Sequence, residues 1–598
     1  MKVVFLPSGA EMIAEPGMTI MQALHRAGLN IDAPCGGNGT CKKCKVKVTD
    51  SEGERIVLAC QTVITGDMTV DISREDEGHR ILMGGITREV ASVPTLSVHT
   101  VQVPRPTTED LRSCWLRLCA SVEEAAALPA GSIRPNLAVI SDLYRTLESN
   151  DYRVDAVLCD GVLLAVQPVG SPVLGLAYDI GTTTIACYLL DLRSGRQLSQ
   201  SSMLNPQTTF GGDVIMRMKY SVENGLEELT ECVRKALNTL AAKSASSAKQ
   251  KLKDVYLVTV VGNTCMHHLF MGISPASLAY APYTAAVTEA IQADAKDFGF
   301  SIHPSGRLFM LPNIAGFVGA DTVGAALAAS MDDKEKLTLL IDIGTNGEMV
   351  LGTKDHLVAC STAAGPAFEG ALISCGMRGA EGAIDHVKLI DGQFQYTVIG
   401  GGKPVGICGS GLIDLLSELV RVGLVESGGR MLDEDEIDAD PVCKPYAGFM
   451  ETRNGLRAFR LASVEESGSG EALYFTQKDV REVQLAKGAM AAGIQMMCRH
   501  LGVTVDEIQS VMIAGAFGSY MSPVSACGIG LIPPQLGDRV MAIGNAAGEG
   551  SKLCALSIVE YRRASRLAEN MDYLELAADP AFQDVFVDQL EFPSDEED

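Results

Sequence analysis

Apolar and polar positions follow three regimes along the chain. In residues 1–75 the elements are short: an apolar strand over Lys2–Leu6, a Ser8-Gly9 turn and a second strand to Ala14. Ile20, Ala23, Leu24 and Ala27 then repeat at helical spacing, with Thr19 placed to cap the helix and Gly28 to end it. A loop dense in Gly and Cys follows, then strands over Lys45–Val48 and Met68–Ile72. Residues 76–94 are charged and contain glycine, and predict a linker. Residues 95–170 predict a small mixed unit: an extended start at Val98–Val103, helices around Leu111–Leu118 and Pro135–Ser149, and an apolar end at Ala156–Val166. Over 171–598 strands and helices alternate, the pattern of an α/β domain.

A chain of 598 residues, 47% hydrophobic, is too long for one core and predicts three or four globular units. Its first residues lack a basic stretch followed by an apolar one. The longest apolar runs, such as Val255–Val261, fall well short of the roughly 18 residues that span a bilayer. The expectation is a cytoplasmic protein that neither enters a membrane nor is secreted. A net charge of −25 opposes binding to a phosphate backbone, so partners should be proteins or small molecules. Seventeen cysteines, an odd number without a secretory leader, suit a reducing compartment in which thiols stay free or bind metal.

Four of those cysteines carry chemistry. Cys35, Cys41, Cys44 and Cys60 give the spacing C-x5-C-x2-C-x15-C, opening in the run Pro34-Cys35-Gly36-Gly37-Asn38-Gly39-Thr40-Cys41. Three thiolates on a glycine-rich loop and a distant fourth suit a 2Fe-2S cluster, because glycines let the loop wrap the cluster and aim N–H groups at its sulfurs. A zinc ribbon would usually show two C-x2-C pairs, and only Cys41 and Cys44 are so spaced.

A second chemistry is written twice. Leu174–Asp179 runs into Asp179-Ile180-Gly181-Thr182-Thr183-Thr184, and 163 residues later Leu337–Asp342 runs into Asp342-Ile343-Gly344-Thr345-Asn346-Gly347-Glu348. Each turn continues into another strand, so these are hairpin tips, unlike a Walker A loop entering a helix. Gly and Thr at such a tip can surround phosphate oxygens, and a carboxylate at the strand end can hold Mg²⁺ through its waters. A third apolar strand, Val511–Ile513, enters Ala514-Gly515-Ala516-Phe517-Gly518. Two such tips and this third turn resemble the phosphate 1, phosphate 2 and adenosine segments of actin-like ATPases and sugar kinases.

The first 75 positions resemble ferredoxins of the adrenodoxin and sodium-pumping-reductase kind. They depart from them in a shorter gap before Cys60 and in Lys42, where relatives often have Gly. Lys42, Lys43, Lys45 and Lys47 form either a docking patch for an acidic electron donor or simply a solvated strand face. The resemblance then narrows. Asn205-Pro206-Gln207, Phe210-Gly211-Gly212-Asp213, Gly262-Asn263-Thr264-Cys265-Met266-His267-His268, Pro312-Asn313 with Val318-Gly319-Ala320-Asp321, and Gly406-Ile407-Cys408-Gly409-Ser410-Gly411-Leu412 are similar to segments of the reductive activators of corrinoid enzymes.

That resemblance covers nearly the whole chain and implies a multidomain α+β and α/β architecture. Its parts are an N-terminal β-grasp 2Fe-2S ferredoxin domain, a small mixed middle domain and a C-terminal duplicated actin-like ATPase domain of ribonuclease H-like fold. It further implies ATP and Mg²⁺ as cofactors, a homodimer formed through the ATPase domain, a low-potential electron donor such as a ferredoxin, and reduction of a cobalt(II) corrinoid to cobalt(I) on the corrinoid protein of a methyltransferase system. Residue by residue, it assigns Asp179, Gly181, Thr182 and Thr183 to the first phosphate loop and Asp342, Gly344, Thr345 and Asn346 to the second. Gly515, Ala516, Phe517 and Gly518 face the adenosine. Asp213, Asp321 and Glu348 are the candidates for orienting a water or acting as base, with a structural cap as the alternative for each. His267 and His268 are expected to be packing residues. Two rival readings are a small-molecule kinase with a regulatory cluster and a nucleotide-binding redox sensor. An activator of radical acyl-CoA dehydratases fits less well, because that pattern has no fused ferredoxin loop.

Overall fold

The structure is a computed structural model that describes residues 1–6, 9–27, 44–51, 53–71, 80–83, 86–89, 93–344, 346–365, 367–370, 372–515 and 520–593. Two compact units divide it, Met1–Glu89 and Val90–Asp598.

In the first unit the strands order as Ala10–Ile13, Lys2–Leu6, Met68–Asp71, Lys45–Asp50 and Gly53–Leu58. Lys2–Leu6 and Met68–Asp71 run parallel and the other pairings are antiparallel. Alternation places Val3, Phe5, Val46, Val48 and Val70 on one face, where they bury Ile20, Ala23 and Leu24 of the helix Ile20–Arg26. Burying each large side chain of this set contributes about 1.5–3 kcal/mol. Thr19 caps that helix as expected, its hydroxyl accepting from Gln22 N at 3.3 Å while Gln22 Oε1 accepts from Thr19 N at 2.9 Å. The strand Gly53–Leu58 is an addition to the sequence reading. Within the expected linker, Arg80–Met83 and Ile86–Glu89 pair as a small antiparallel hairpin.

The second unit opens with a three-stranded antiparallel sheet, Leu96–Gln102, Arg153–Cys159 and Val162–Pro168. The helices Cys114–Ala125 and Leu137–Ser149 cover it through Leu118, Val122, Leu143 and Leu147. The apolar end expected at Ala156–Val166 is in fact a hairpin. Its turn, Asp160-Gly161, has φ of 46° and 79°, the conformation that an Asp-Gly pair accepts.

The rest of the unit is built on two six-stranded sheets. The first orders as Gln197–Leu204, Thr184–Asp191, Leu174–Ile180, Val255–Gly262, Arg307–Met310 and Ile291–Asp294. The second orders as Val540–Gly544, Ser510–Ala514, Thr338–Ile343, Gly347–Thr353, His356–Thr362 and Met571–Tyr573. Reversing the second shows the copy: a three-strand antiparallel meander, then two strands parallel to its first. Val255–Gly262 is buried at all eight positions, as a parallel strand covered on both faces requires.

Two helices join the halves. Ala320–Ala329 leaves the first half and packs against Val255–Gly262, Thr338–Ile343 and Gly347–Thr353. Ala546–Leu556 follows the second-half strand Val540–Gly544 yet packs on Leu174–Ile180 and Val255–Gly262. They cross backbone to backbone: a Cβ on Gly550 would lie 2.1 Å from Gly324 O. Among the described residues no helix is long and apolar enough to cross a membrane.

Candidate functional site

Of the four cysteines expected to hold a cluster, Cys35 and Cys41 lie outside the described residues. The other two are brought together. Ala59 N donates to Cys44 O at 2.7 Å, which sets the strand start carrying Cys44 beside the turn carrying Cys60, and the two sulfurs stand 3.1 Å apart. Both are free, buried thiols. Burial is the largest cause raising the Cys44 pKa, opposed by a backbone hydrogen bond at Cys60 and reinforced by the Cys60 side chain. Two close buried sulfurs on a four-cysteine pattern suit a cluster of two irons. Lys45 and Lys47 lie on the strand Lys45–Asp50, and Lys47 pairs with Glu54, which favours the solvated-strand account for that residue.

The two phosphate hairpins sit at equivalent strand ends. In the first, Gly181 N donates to Thr184 O at 3.0 Å, and in the second Gly344 N donates to Asn346 O at 2.9 Å, so the second tip is one residue tighter. Side chains from three other elements brace the first. Asn205 Nδ2 donates to Gly181 O at 2.9 Å, Asn205 N to Thr183 O at 2.8 Å, Arg217 Nη2 to Thr182 O at 2.6 Å, and Asn263 Nδ2 to Thr182 Oγ1 at 2.9 Å. Arg217 is fully buried, and its Nε holds Gly211 O at 2.9 Å. Desolvation lowers its pKa to about 10, yet it stays cationic at neutral pH directly behind the loop expected to bind phosphate. Around the second tip, a Cβ on Gly347 would meet Thr362 Oγ1 at 2.8 Å, and one on Gly515 would lie 2.8 Å from Asp342 Oδ1. Gly515 has φ of 85°, so glycine both turns the chain and lets it approach Asp342. Thr345, Ala516, Phe517 and Gly518 lie outside the described residues.

Four carboxylates converge between the halves. Asp179 and Asp342 end the two central strands, Asp321 stands in the first turn of Ala320–Ala329, and Glu348 lies opposite Asp342 in the hairpin register. Desolvation is the leading cause of every shift. It raises Asp179 to about 6, against the opposing hydrogen bond from Asn545. Asp342 is raised to about 7 by burial and by the charge of Asp179. Asp321 is raised to about 7 by burial, then by Asp179 and Asp342, and Glu348 goes well above the ordinary carboxylate range through burial, then Asp321 and Asp342. Beyond burial, the charge of Asp179 raises Asp321 and Asp342, that of Asp342 raises Asp321 and Glu348, and that of Asp321 raises Glu348, a buried carboxylate group suited to a hydrated divalent ion.

Four consecutive stretches of the chain match family models, three of them those of one family. Residues 4–65 match the 2Fe-2S iron-sulfur cluster binding domain, 85–170 the RACo linker region, 174–334 the RACo middle region, and 336–598 the C-terminal domain of RACo, the ASKHA domain. The chain is 35% identical over 565 residues to the corrinoid activation enzyme RamQ of Eubacterium limosum, covering 94% of each. The chain belongs to the RACo family. A solved structure of a reductive activator for corrinoid, iron-sulfur protein superposes with a TM-score of 0.76 at 33% identity, covering 99% of this chain and 98% of that one. The [Co(II) methylated amine-specific corrinoid protein] reductase of Methanosarcina barkeri is 23% identical over 452 residues, 70% of this chain and 77% of that protein. The fold of this RACo-family chain is therefore the expected ferredoxin domain followed by an actin-like, sugar-kinase-like ATPase domain.

Within that frame the expected residues separate. Asp179, Asp321, Asp342 and Glu348 act on one another's charge. Asp213 is the N-cap of the helix Val214–Asn224, accepting from Met216 N at 2.8 Å. This is the structural role weighed as its alternative. His268 packs as expected, Nδ1 against Thr264 O at 2.7 Å and Nε2 accepting from Ala286 N at 3.0 Å. His267 is buried too, but its ring nitrogens meet no hydrogen-bond partner among the described residues, and burial lowers its pKa to about 3. Asn545 was missed by the sequence reading. Its Nδ2 donates to Asp179 Oδ2 at 2.9 Å and to Tyr188 Oη at 3.1 Å, while its Oδ1 caps Ala546–Leu556 through Gly548 N at 2.8 Å. The signal available was the small-residue run Gly544-Asn545-Ala546-Ala547-Gly548 at a strand-to-helix junction.

Proposed function

We propose that this chain is an ATP-dependent reductive activator. It takes one electron at the cluster site of Cys35, Cys41, Cys44 and Cys60 and passes it to the cobalt(II) corrinoid of a methyltransferase corrinoid protein, restoring cobalt(I). The observation that carries this reading is that one RACo-family chain holds both a buried pair of free sulfurs 3.1 Å apart on a ferredoxin pattern and a duplicated hairpin cleft lined by buried carboxylates.

When bound, a 2Fe-2S cluster supplies a one-electron store. Asp179 and Asp342 would hold Mg²⁺ through its waters, the ion supplying charge to offset the phosphates. Gly181, Thr182 and Thr183 with Gly344, Thr345 and Asn346 would serve the triphosphate through N–H and hydroxyl donors, and Gly515 to Gly518 would serve the adenosine. Asp321 and Glu348 orient the attacking water, and Glu348 must lose its proton to act as base. ATP is needed because every 59 mV of potential mismatch is tenfold in a one-electron equilibrium constant. Only a difference in partner affinity between nucleotide states can offset that gap. The chain works in the cytoplasm as a homodimer and receives electrons from a low-potential ferredoxin-like donor.

The test mixes purified protein, low-potential reductant, MgATP and a cobalt(II) corrinoid protein and follows cobalt(I) by absorption. Cobalt(I) accumulates if the proposal is right. No accumulation under these conditions sinks it. A phosphorylated metabolite would instead indicate the kinase reading, and nucleotide binding without turnover the sensor.

A further inference from the structure

One side-chain bond in the second unit links the two phosphate hairpin halves directly. Thr183 Oγ1, at the first tip, donates to Glu369 Oε2 at 2.9 Å. Glu369 belongs to the second half, in the turns that follow the strand His356–Thr362. Sequence reading passed over it, and the roles proposed above do not use it.

Its position is informative because Thr183 cannot retreat. The Thr183 carbonyl is held by Asn205 N, and the preceding carbonyls by Asn205 Nδ2 and the buried Arg217. The side-chain hydroxyl is the part that can change acceptor. A carboxylate oxygen and a phosphoryl oxygen are both anionic acceptors that take short hydrogen bonds from a hydroxyl, and like charge prevents both from occupying the same place. The other end of the bond is tied into the body of its own half. Gly370 has φ of 79°, and a Cβ there would lie 2.6 Å from Met377 N, while one on Gly376 would lie 2.2 Å from Gly370 O, so the turn closes tightly on itself. Ser374 N and Oγ both donate to Asp479 Oδ1, at 2.8 and 3.0 Å. Asp479 is buried in the first turn of Gln477–Leu501, the helix that packs on Gly347–Thr353 and His356–Thr362.

We propose that Glu369 is an anionic placeholder for the terminal phosphoryl group of ATP: its carboxylate takes the Thr183 hydroxyl that the γ-phosphate would take on binding. The inference rests on the nucleotide-site reading above. It adds the residue by which the protein tells a triphosphate from a diphosphate. ATP breaks the Thr183–Glu369 bond and pushes the turn carrying Glu369 away, and the Ser374–Asp479 anchor passes that shift to the long helix. ADP, lacking the terminal phosphoryl, leaves the bond in place.

The test uses the full-length protein with Mg²⁺ and compares AMP-PNP with ADP by calorimetry, in wild type and in Glu369→Gln, which keeps the shape and the acceptor but loses the charge. The variant should bind AMP-PNP about tenfold tighter with ADP changed less than about threefold. An unchanged AMP-PNP to ADP ratio overturns the placeholder. So does a kcat lower by about a hundredfold at unchanged affinity, which would make Glu369 part of the chemistry. A second measurement needs no variant: amide exchange over 372–377 should rise with AMP-PNP and not with ADP, and identical exchange in the two states contradicts the proposal. Wild-type protein that binds neither nucleotide removes the nucleotide site itself, a failure distinct from a wild-type ratio in Glu369→Gln.

Discussion

The two halves of the ATPase domain share a strand order but differ at the same register position. Opposite Asp179 in the first hairpin stands Ala186, and opposite Asp342 in the second stands Glu348. The first tip is held from outside by Asn205, Arg217 and Asn263, and its strand-end carboxylate is steadied by the amide of Asn545. The second tip is one residue tighter, packs through Gly347 and Gly515, and carries the extra carboxylate. Duplication of a fold therefore did not duplicate the task. The first hairpin is braced from outside with a buried cation behind it, and the second carries the carboxylate proposed above to act on water.

The largest effect should come from making the second hairpin resemble the first. Glu348→Ala should lower kcat for ATP hydrolysis by about 10²–10⁴-fold with little change in nucleotide affinity, measured by phosphate release and calorimetry. A loss of affinity at unchanged kcat would place Glu348 in binding instead. Next, Asn205→Ala removes a buried donor that serves Gly181 and leaves that carbonyl unpaired. It should cost about 1–3 kcal/mol in denaturant unfolding and raise KM for ATP more than it lowers kcat. The corresponding brace of the second half is packing, so Gly347→Ala should act through overpacking against Thr362 and Met490, costing a similar amount.

A smaller effect tests the electrostatic asymmetry. The Asn545 amide stabilises ionised Asp179, so Asn545→Ala should move the acid limb of the ATPase pH profile to higher pH by a few tenths of a unit to about one unit. No movement would separate Asp179 from the titration that controls rate.

The smallest effect concerns stability. All four carboxylates have folded pKa values raised above their unfolded ones. The folded state thus binds more protons between about pH 4 and 7, and stability from this site is present at low pH and falls as pH rises through about 6–7. In nucleotide-free, Mg²⁺-free protein, Asp342→Asn should therefore raise Tm at pH 7.5 by about 2 °C and do little at pH 5. Equal shifts at both pH values would show that the gain is not electrostatic.

How far the sequence spoke depended on whether a residue's role is local. The strand ends Asp179 and Asp342, the Gly-Thr tips and the Thr19 cap follow from patterning and turn chemistry over a few neighbours, and the described residues put both aspartates at strand ends and Thr19 at the helix start. Asp213, two glycines after Phe210 and just before an apolar helix, carries the local signature of a cap, and capping is what it does. Asn545, Arg217 and Glu369 act across 366, 35 and 186 residues of sequence, and a polar residue on a helix or turn looks like surface until the fold brings its target close. Two strands were lost for a different reason: Gly53–Leu58 is a half-exposed edge, and Val162–Pro168 was merged with its partner because the Asp160-Gly161 turn was not given its hairpin meaning.

The most direct measurement of the whole account is a single-turnover experiment on the reduced protein. The cluster is reduced, excess reductant removed, and a cobalt(II) corrinoid protein added with either MgATP or MgADP, while EPR follows the cluster and absorption follows cobalt(I). The account predicts that the cluster signal decays with MgATP as one cobalt(I) forms for each electron lost, and persists with MgADP. Equal decay with both nucleotides, or decay that yields no cobalt(I), would contradict it.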